Sequence, residues 1–269
     1  MPENTAQTLA VLAADAYSHD PALGLPAGFT AVNLPGLGMD DGLYTRGHGA
    51  AAVSTGLLDG EQVLVVAFRG TDGVHDWISD VTNIDDQYSA FKSLAKAVEQ
   101  YAAQGGKVVL TGHSAGGAMA QIFMSEHAGD DHYRAVTFGS PGALPEKHVF
   151  SVAADSRITN YVVSDDPVVF LGEHRGDAIA AALKPVGGLL DTVLSEIGHL
   201  THISLGGLFG SAAKALAGDY VNNGTTVVLP GAAPSLTVQA ALHDGLSEHN
   251  PDIYVSLTGS ATVFEPHLW

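Results

Sequence analysis

The first seventy residues change from a helical to an extended pattern of apolar positions. Residues 1–20 carry their apolar side chains at helical spacing among polar ones, which predicts an amphipathic first helix. Two apolar runs follow at residues 50–55 and 61–68, and Asp59-Gly60 lies between them. Because Asp-Gly is a preferred dipeptide of tight hairpin turns, the two runs are predicted to be strands of one hairpin.

Beyond the hairpin, helices and strands are predicted to alternate. Residues 89–104 have helical spacing, and residues 108–110 form a short buried run after two glycines. Residues 118–127 contain neither proline nor glycine and are expected to be helical, and strands are predicted at residues 134–138 and 158–163. This order is typical of an α/β fold with a mostly parallel central sheet flanked by helices, whose functional groups collect at the carboxyl ends of the strands.

Composition narrows the class of protein. A chain of 269 residues with 46% hydrophobic residues suits a single large α/β unit with a substantial core. Its 29 acidic and 11 basic residues give a formal charge of −18, which would repel a phosphate backbone. Nucleic acid is therefore not expected as a partner, and anionic membrane surfaces are disfavoured. The absence of cysteine excludes disulfides, thiolate metal sites and cysteine nucleophiles.

The first residues lack the basic segment of a secretory signal and carry acidic residues through their apolar part. We therefore expect no cleaved signal peptide, which fits a cytoplasmic protein or one exported by a non-classical route. The sequence contains no run of about 18 uncharged apolar residues, so no membrane span is predicted.

A candidate nucleophile lies where the strand at residues 108–110 meets the following helix. Residues 112–116 read Gly-His-Ser-Ala-Gly, and this Gly-x-Ser-x-Gly pattern is typical of the sharp strand-to-helix turn that exposes a catalytic serine. The turn admits only small neighbours, and the glycines and the alanine around the serine meet that requirement. Ser114 is therefore the candidate nucleophile of a serine hydrolase.

In this type of hydrolase an acid and then a histidine follow the nucleophile along the chain. Asp166 comes just after a predicted strand and precedes a proline, which makes it the preferred acid, with Asp165 as the alternative. The preferred base is His249, which opens the turn-forming sequence His-Asn-Pro-Asp ahead of an apolar segment. His243 is the next candidate for the base.

An oxyanion hole needs two hydrogen-bond donors directed at the developing negative charge. The backbone N–H of Ala115 is the first candidate, and Thr71, just after the second hairpin strand, is predicted to offer its N–H and hydroxyl as the second. His199 and His202 are further candidates for the base, and their spacing is also that of paired metal ligands. No third ligand is spaced to match them, so we expect no metal site.

From residue 172 to 248 the pattern changes to short elements separated by glycine and proline. Helices are predicted at residues 178–183, 189–194 and 212–216, and strands at residues 225–229 and 236–240. We interpret this region as an insertion over the edge of the sheet, within a single domain of residues 1–269. Two roles stay open, a cap that supplies an acyl-binding surface and a structural extension that buries its own faces.

Taken in order, the motifs of this chain resemble those of the class 3 lipases, which are α/β-hydrolases of the fungal triacylglycerol lipase type. The similar motifs are Phe68-Arg69-Gly70-Thr71, Asp76-Trp77, Gly112-His113-Ser114-Ala115-Gly116-Gly117, Thr137-Phe138-Gly139-Ser140-Pro141 and Asp166-Pro167-Val168. They cover residues 50–170 well and extend more weakly to His249 and Tyr254. The resemblance implies an α/β-hydrolase fold.

The resemblance also implies roles for individual residues. It makes Ser114 the nucleophile, Asp166 the acid and His249 the base, and it places the oxyanion hole at Thr71 and Ala115. One departure is that alanine stands at position 115, where leucine is usual in this family. Backbone donation is unaffected, and the smaller side chain is expected to enlarge the pocket.

The segment after the Arg-Gly-Thr strand forms a short lid helix with a tryptophan in fungal members of the family. Residues 74–81 fall in that position, which makes Val74, Trp77 and Ile78 candidate lid residues. Many relatives keep an Asp-Trp pair here for packing alone, so both roles stay open.

The activity implied is hydrolysis of carboxylic esters with medium or long acyl chains, such as acylglycerols, through an acyl-enzyme and without a cofactor. The implied partner is a lipid or ester substrate, met during transient contact with a lipid interface. Phospholipase A1, feruloyl esterase, short-chain esterase and acyltransferase reactions would use the same triad. Outside enzymes, the alternative is a non-catalytic lipid-binding module.

Overall fold

The computed structural model describes residues 4–70, 84–143, 154–175, 177, 219–231, 237, 249–260, 265–266 and 268–269. Its strands are β1 (Thr30–Ala31), β2 (Leu43–Arg46), β3 (Gly49–Leu58), β4 (Glu61–Phe68), β5 (Lys107–His113), β6 (Tyr133–Phe138), β7 (Ile158–Val163) and β8 (Thr225–Leu229). Its α-helices are α1 (Thr5–Asp15), α2 (Ile84–Gln87), α3 (Lys92–Ala102), α4 (Ala115–Glu126), α5 (Pro167–Glu173) and α6 (Pro251–Thr258), and short 3-10 turns span Pro21–Leu23 and Tyr88–Phe91.

Within these residues the strands form one eight-stranded sheet in the order β1-β3-β4-β5-β6-β7-β8, with β2 also paired to β3. Strands β4 to β8 are parallel, whereas β1 and β2 pair antiparallel with β3, and so does β4. The predicted hairpin is confirmed. Asp59 and Gly60 have φ values of 51° and 78°, and positive φ at both central residues is what a two-residue turn between twisted strands requires.

The two faces of the sheet are covered by different helices, because alternate strand residues point to opposite faces. Val63 and Val65 of β4 and Val109 of β5 belong to a buried cluster that includes α1. Leu64 and Leu110 belong to a second cluster that includes α3 and α4. The sheet is therefore the middle layer of three, as the alternating pattern of the sequence predicts.

Helices α1 and α6 run in opposite directions, and this places the start of α6 near the site. The Thr5 hydroxyl donates to Asp59 Oδ1 at 2.8 Å, so α1 begins near the hairpin turn at the amino end of β4. Asn4 Nδ2 donates to the Thr258 carbonyl at 2.9 Å, so the end of α6 lies beside the start of α1. Consequently the beginning of α6, which follows His249, lies toward the carboxyl ends of the parallel strands.

A buried network of polar side chains connects α4 to the segment that leads into β8. Gln121 is fully buried, and its Nε2 donates to Ser140 Oγ at 3.1 Å and to Asn160 Oδ1 at 3.2 Å. Its Oε1 accepts the backbone N–H of Asn223 at 2.8 Å, and Asn160 Nδ2 donates to the Asn223 carbonyl at 2.6 Å. Helix α4 and the segment before β8 are thus held by hydrogen bonds as well as by apolar packing.

Several elements were not predicted from the sequence, or were predicted with other ends. Helix α4 begins at Ala115, so it includes the two glycines after it, and α5 and α6 each begin with a proline that the sequence pattern suggested was part of a turn. Asp166 and Asn250 cap these two helices with their side chains, and proline at the first helical position needs no N–H partner. The Asp-Pro and Asn-Pro sequences, which are also common in turns, therefore form the first turns of helices here.

Within the predicted insertion, residues 225–229 join the main sheet as β8, beside β7. The three predicted helices of this region lie outside the described residues, and so does the predicted strand at residues 236–240 except for residue 237, so the role of the insertion stays a prediction. Among the helices that the structure describes, none has both the length and the apolar character needed to cross a bilayer.

Candidate active site

Ser114 occupies the sharp turn between β5 and α4, in a strained backbone conformation. Its φ of 59° and ψ of −133° lie in a region that non-glycine residues rarely adopt, at a typical cost of about 1–3 kcal/mol. The turn is crowded by the neighbouring strand, since a Cβ at Gly116 would lie 2.0 Å from the carbonyl oxygen of Phe68. Ser114 is 8% exposed, so solvent reaches only a small part of it.

The backbone around Ser114 supplies one donor suited to an oxyanion. Ala115 is the first residue of α4, and the amides of a first helical turn have no acceptor within their own helix. The positive end of the helix dipole adds to the attraction for negative charge at this point. The N–H groups of Gly117 and Ala118, by contrast, already point back to the Ser114 carbonyl, at 2.9 and 3.4 Å.

The end of β4 also reaches the nucleophile. A Cβ at Gly70 would lie 3.1 Å from Ser114 Cβ and 2.7 Å from the His113 carbonyl oxygen, so only glycine allows this approach. Thr71 follows directly in the sequence but lies outside the described residues. Its contribution as the second oxyanion donor therefore stays a prediction.

Asp166 is the carboxylate that the fold brings to a histidine. The residue is 1% exposed, and its Oδ1 accepts the N–H groups of Val168 at 2.8 Å and Val169 at 3.3 Å as the cap of α5. His249 Nδ1 lies 2.7 Å from Oδ2 and 2.9 Å from Oδ1. The alternative acid, Asp165, packs its carboxylate against Gly231, where a Cβ would lie 1.8 Å from Asp165 Oδ1.

His249 is oriented as a general base would be. Because an ionised carboxylate only accepts hydrogen bonds, its contact with Nδ1 selects the tautomer in which Nε2 carries the free lone pair. Nε2 is buried and has no hydrogen-bond partner among the described residues, and this includes Ser114. The imidazole nevertheless packs on the residue before the nucleophile, with the ring centroids of His113 and His249 4.4 Å apart. Bonds between a base and its nucleophile often tighten only when substrate is bound.

Two tyrosines at the site were not assigned contacts from the sequence. Tyr254, on α6, is 1% exposed, and its hydroxyl donates to Asp166 Oδ2 at 2.6 Å while accepting the N–H of Val163 at 3.2 Å. Burial, followed by the charge of Asp166, raises the pKa of Tyr254 well above its ordinary value, so it stays a neutral donor. Its position five residues after His249 was the available signal, but that spacing alone does not identify a partner 88 positions away.

The second tyrosine, Tyr17, contacts the ring of His113. The hydroxyl of Tyr17, just after α1, lies 3.0 Å from His113 Nδ1. Burial, followed by the proximity of His249, lowers the pKa of His113 well below its ordinary value. His113 is therefore a neutral ring beside the candidate base. No sequence signal connects residue 17 to this site.

Of the residues predicted for the site, the structure brings together Ser114, Ala115, Asp166 and His249. Residues outside the described part are Thr71, the lid candidates Val74, Trp77 and Ile78, and the alternative bases His199, His202 and His243. A further histidine that follows Asp166 in the sequence, His174, is described, and its Nδ1 lies 2.8 Å from the Phe170 carbonyl. Among the described residues, no three His, Asp or Glu side chains are grouped as a metal site would require.

Comparison with known proteins gives matches to lipid-hydrolysing families. Residues 8–218 match the phospholipase-like family, described as a Tle-like phospholipase domain. A Serratia liquefaciens protein named extracellular phospholipase A1 is 38% identical over 120 residues. That alignment covers 42% of this chain and 35% of the relative, so the chain spans about a third of that protein's length.

Solved structures of lipases are also similar to this chain. A native Rhizomucor miehei lipase propeptide complex is 20% identical, with a TM-score of 0.42, and 62% of each chain is covered. A Yarrowia lipolytica lipase is 17% identical, with a TM-score of 0.40, and the match covers 61% of this chain and 72% of that one.

Proposed function

Because this chain belongs to the phospholipase-like family with a Tle-like phospholipase domain, we propose that it hydrolyses fatty-acyl esters of lipids through a serine-linked acyl-enzyme. The membership agrees with the sequence resemblance to class 3 lipase-like α/β-hydrolases. The observation that carries the proposal is the buried His249–Asp166 pair, 2.7 Å between Nδ1 and Oδ2, packed against the residue that precedes Ser114.

The proposed reaction begins with attack of Ser114 Oγ on the ester carbonyl carbon. His249 Nε2 accepts the hydroxyl proton as the C–O bond forms, and Asp166 stabilises the resulting imidazolium through Nδ1–H. The oxyanion is stabilised by the N–H of Ala115 and, in our proposal, by Thr71. His249 returns the proton to the departing alcohol, and water attacks the acyl-enzyme by the same route to release the fatty acid.

Acylglycerols are the first substrate class that we propose, on the basis of the sequence resemblance to the fungal triacylglycerol lipases. Phospholipase A1 activity is the second, and it is favoured by the 38% identity to a relative that bears this name. Both reactions cleave an ester of a fatty acid by the same steps. They differ in the group that must be accommodated beside the ester, a third acyl chain or a phosphate headgroup.

A first experiment tests whether Ser114 is the nucleophile. Purified protein is treated with a fluorophosphonate probe and assayed on p-nitrophenyl esters from acetate to palmitate. We expect labelling and hydrolysis to be abolished in Ser114→Ala and retained in Ser125→Ala. Ser125 is a matched control, since it lies on the same helix and its hydroxyl donates to the Ile122 carbonyl at 2.7 Å. Activity confined to acetate would contradict the lipid preference.

A folded protein that binds lipid vesicles but is neither labelled nor active would instead be the lipid-binding module. Hydrolysis that persists in full in Ser114→Ala would place the chemistry at another residue. The two substrate classes are separated with triolein and with phosphatidylcholine that carries different acyl chains at its two ester positions. Release of the first-position chain alone identifies a phospholipase A1, and release from triolein alone identifies a lipase.

A further inference from the structure

His113 connects the start of the nucleophile turn to the candidate base. It is 2% exposed, lies directly before Ser114, and packs its ring on that of His249 at a tilt of 35°. The Tyr17 hydroxyl lies 3.0 Å from His113 Nδ1. Nε2 of His113 is buried and has no hydrogen-bond partner among the described residues, so Tyr17 is the polar group that orients this ring.

Tyr17 holds both the ring and the backbone of the residue before Ser114. Its hydroxyl lies 3.0 Å from His113 Nδ1 and donates to the His113 carbonyl at 3.4 Å. Without that hydroxyl, the buried ring of His113 would lose its polar contact at Nδ1, and its orientation would be less restricted.

We propose that Tyr17 and His113 are positioning residues that hold the imidazole of His249 in line with Ser114, through packing against its ring. The inference rests on the proposed function, because it assigns a support to that base. Asp166 fixes His249 through Nδ1, and it leaves the ring free to swing about that bond. The tilted ring of His113, packed on that of His249, restricts that motion, and the Tyr17 hydroxyl fixes His113 itself.

The test compares Tyr17→Phe with Tyr44→Phe. Tyr44 is the control because it is at least as buried as Tyr17, which is partly buried, and its hydroxyl donates to the Ala90 carbonyl at 2.8 Å, away from the site. We expect Tyr17→Phe to lower kcat on p-nitrophenyl esters about tenfold with KM changed less than twofold. The rate of fluorophosphonate labelling should fall in parallel, since it also depends on the base. Tyr44→Phe should change neither kcat nor the labelling rate. All measurements are made at a temperature where circular dichroism shows that every variant is folded.

A double mutant identifies the route by which Tyr17 acts. Its hydroxyl also lies near Gly70, where a Cβ would be 2.3 Å away, so it has a second path to the site. If Tyr17 acts through His113, then Tyr17→Phe adds no further loss of kcat to His113→Leu. Unchanged kcat in Tyr17→Phe, or losses that multiply in the double mutant, would overturn the inference while leaving the hydrolase intact. If the protein without substitutions shows neither ester hydrolysis nor fluorophosphonate labelling, the proposed function itself is refuted.

Discussion

Replacing Tyr254 with phenylalanine removes one hydroxyl that makes two buried hydrogen bonds. One is the 2.6 Å bond to Asp166 Oδ2, and the other is the 3.2 Å bond from the N–H of Val163. The ring itself can stay in place, because phenylalanine differs only by the missing oxygen. The substitution therefore tests the contribution of the hydrogen bonds and leaves the apolar packing of α6 largely unchanged.

The expected loss of stability follows from the kinds of hydrogen bond that the substitution removes. A hydrogen bond to an ionised carboxylate contributes about 1.5–3 kcal/mol, and an unpaired buried amide costs about 1–3 kcal/mol. The two contributions together are about 2.5–6 kcal/mol, and since Asp166 keeps its two backbone donors and His249, we expect the free energy of unfolding to fall by an amount in the lower half of this range, about 2.5–4 kcal/mol. We expect kcat to fall about tenfold, which corresponds to about 1.4 kcal/mol of the activation barrier. Loss of a triad aspartate in a serine protease costs far more, about 10⁴-fold.

The assay measures kcat and KM on p-nitrophenyl butyrate, and unfolding in urea, for Tyr254→Phe and Tyr44→Phe. Both variants lose a buried tyrosine hydroxyl, but only the first loses a contact with the acid. A tenfold lower kcat with unchanged KM in the first variant alone would support the argument. If the two variants lose stability equally and neither changes kcat, then the Tyr254 bond contributes to the fold and not to the orientation of His249.

Two further predictions concern stability. Ser114→Gly should be more stable than Ser114→Ala by about 1 kcal/mol in urea unfolding, since glycine accepts a φ of 59° without strain. Equal stabilities of the two variants would contradict strain at this turn. Burial and the nearby Asp20 raise the pKa of Asp15 to about 6. The folded state therefore holds this proton more tightly than the unfolded chain does. Consequently the free energy of unfolding falls as the pH rises from about 4 to 6. Asp15→Asn should therefore stabilise the protein at pH 8 by about 1 kcal/mol, a value reduced for solvent screening, and should have little effect at pH 4. An equal effect at both pH values would show that this carboxylate does not titrate as described.

Local signals were sufficient for the central elements of the fold. The hairpin, the nucleophile turn and strands β5 to β8 were predicted because their information lies in adjacent residues. Asp59-Gly60 encodes a turn, apolar runs encode buried strands, and the small residues around Ser114 permit the strained junction. The starts of α5 and α6 were harder, because Asp-Pro and Asn-Pro occur both in turns and at helix N-termini, and packing of the following residues decides between them.

The sequence by itself determined the order of strands β3 to β8, the class of fold and the candidate nucleophile, because these depend on spacing over a few residues. It also favoured two neighbouring aspartates as the acid. The contact between His249 and Asp166 spans 83 positions, that of Tyr254 with Asp166 spans 88, and that of Tyr17 with His113 spans 96. Only the tertiary structure decided these partners, since the direction of α1 and α6 across the sheet sets which side chains meet at its carboxyl edge.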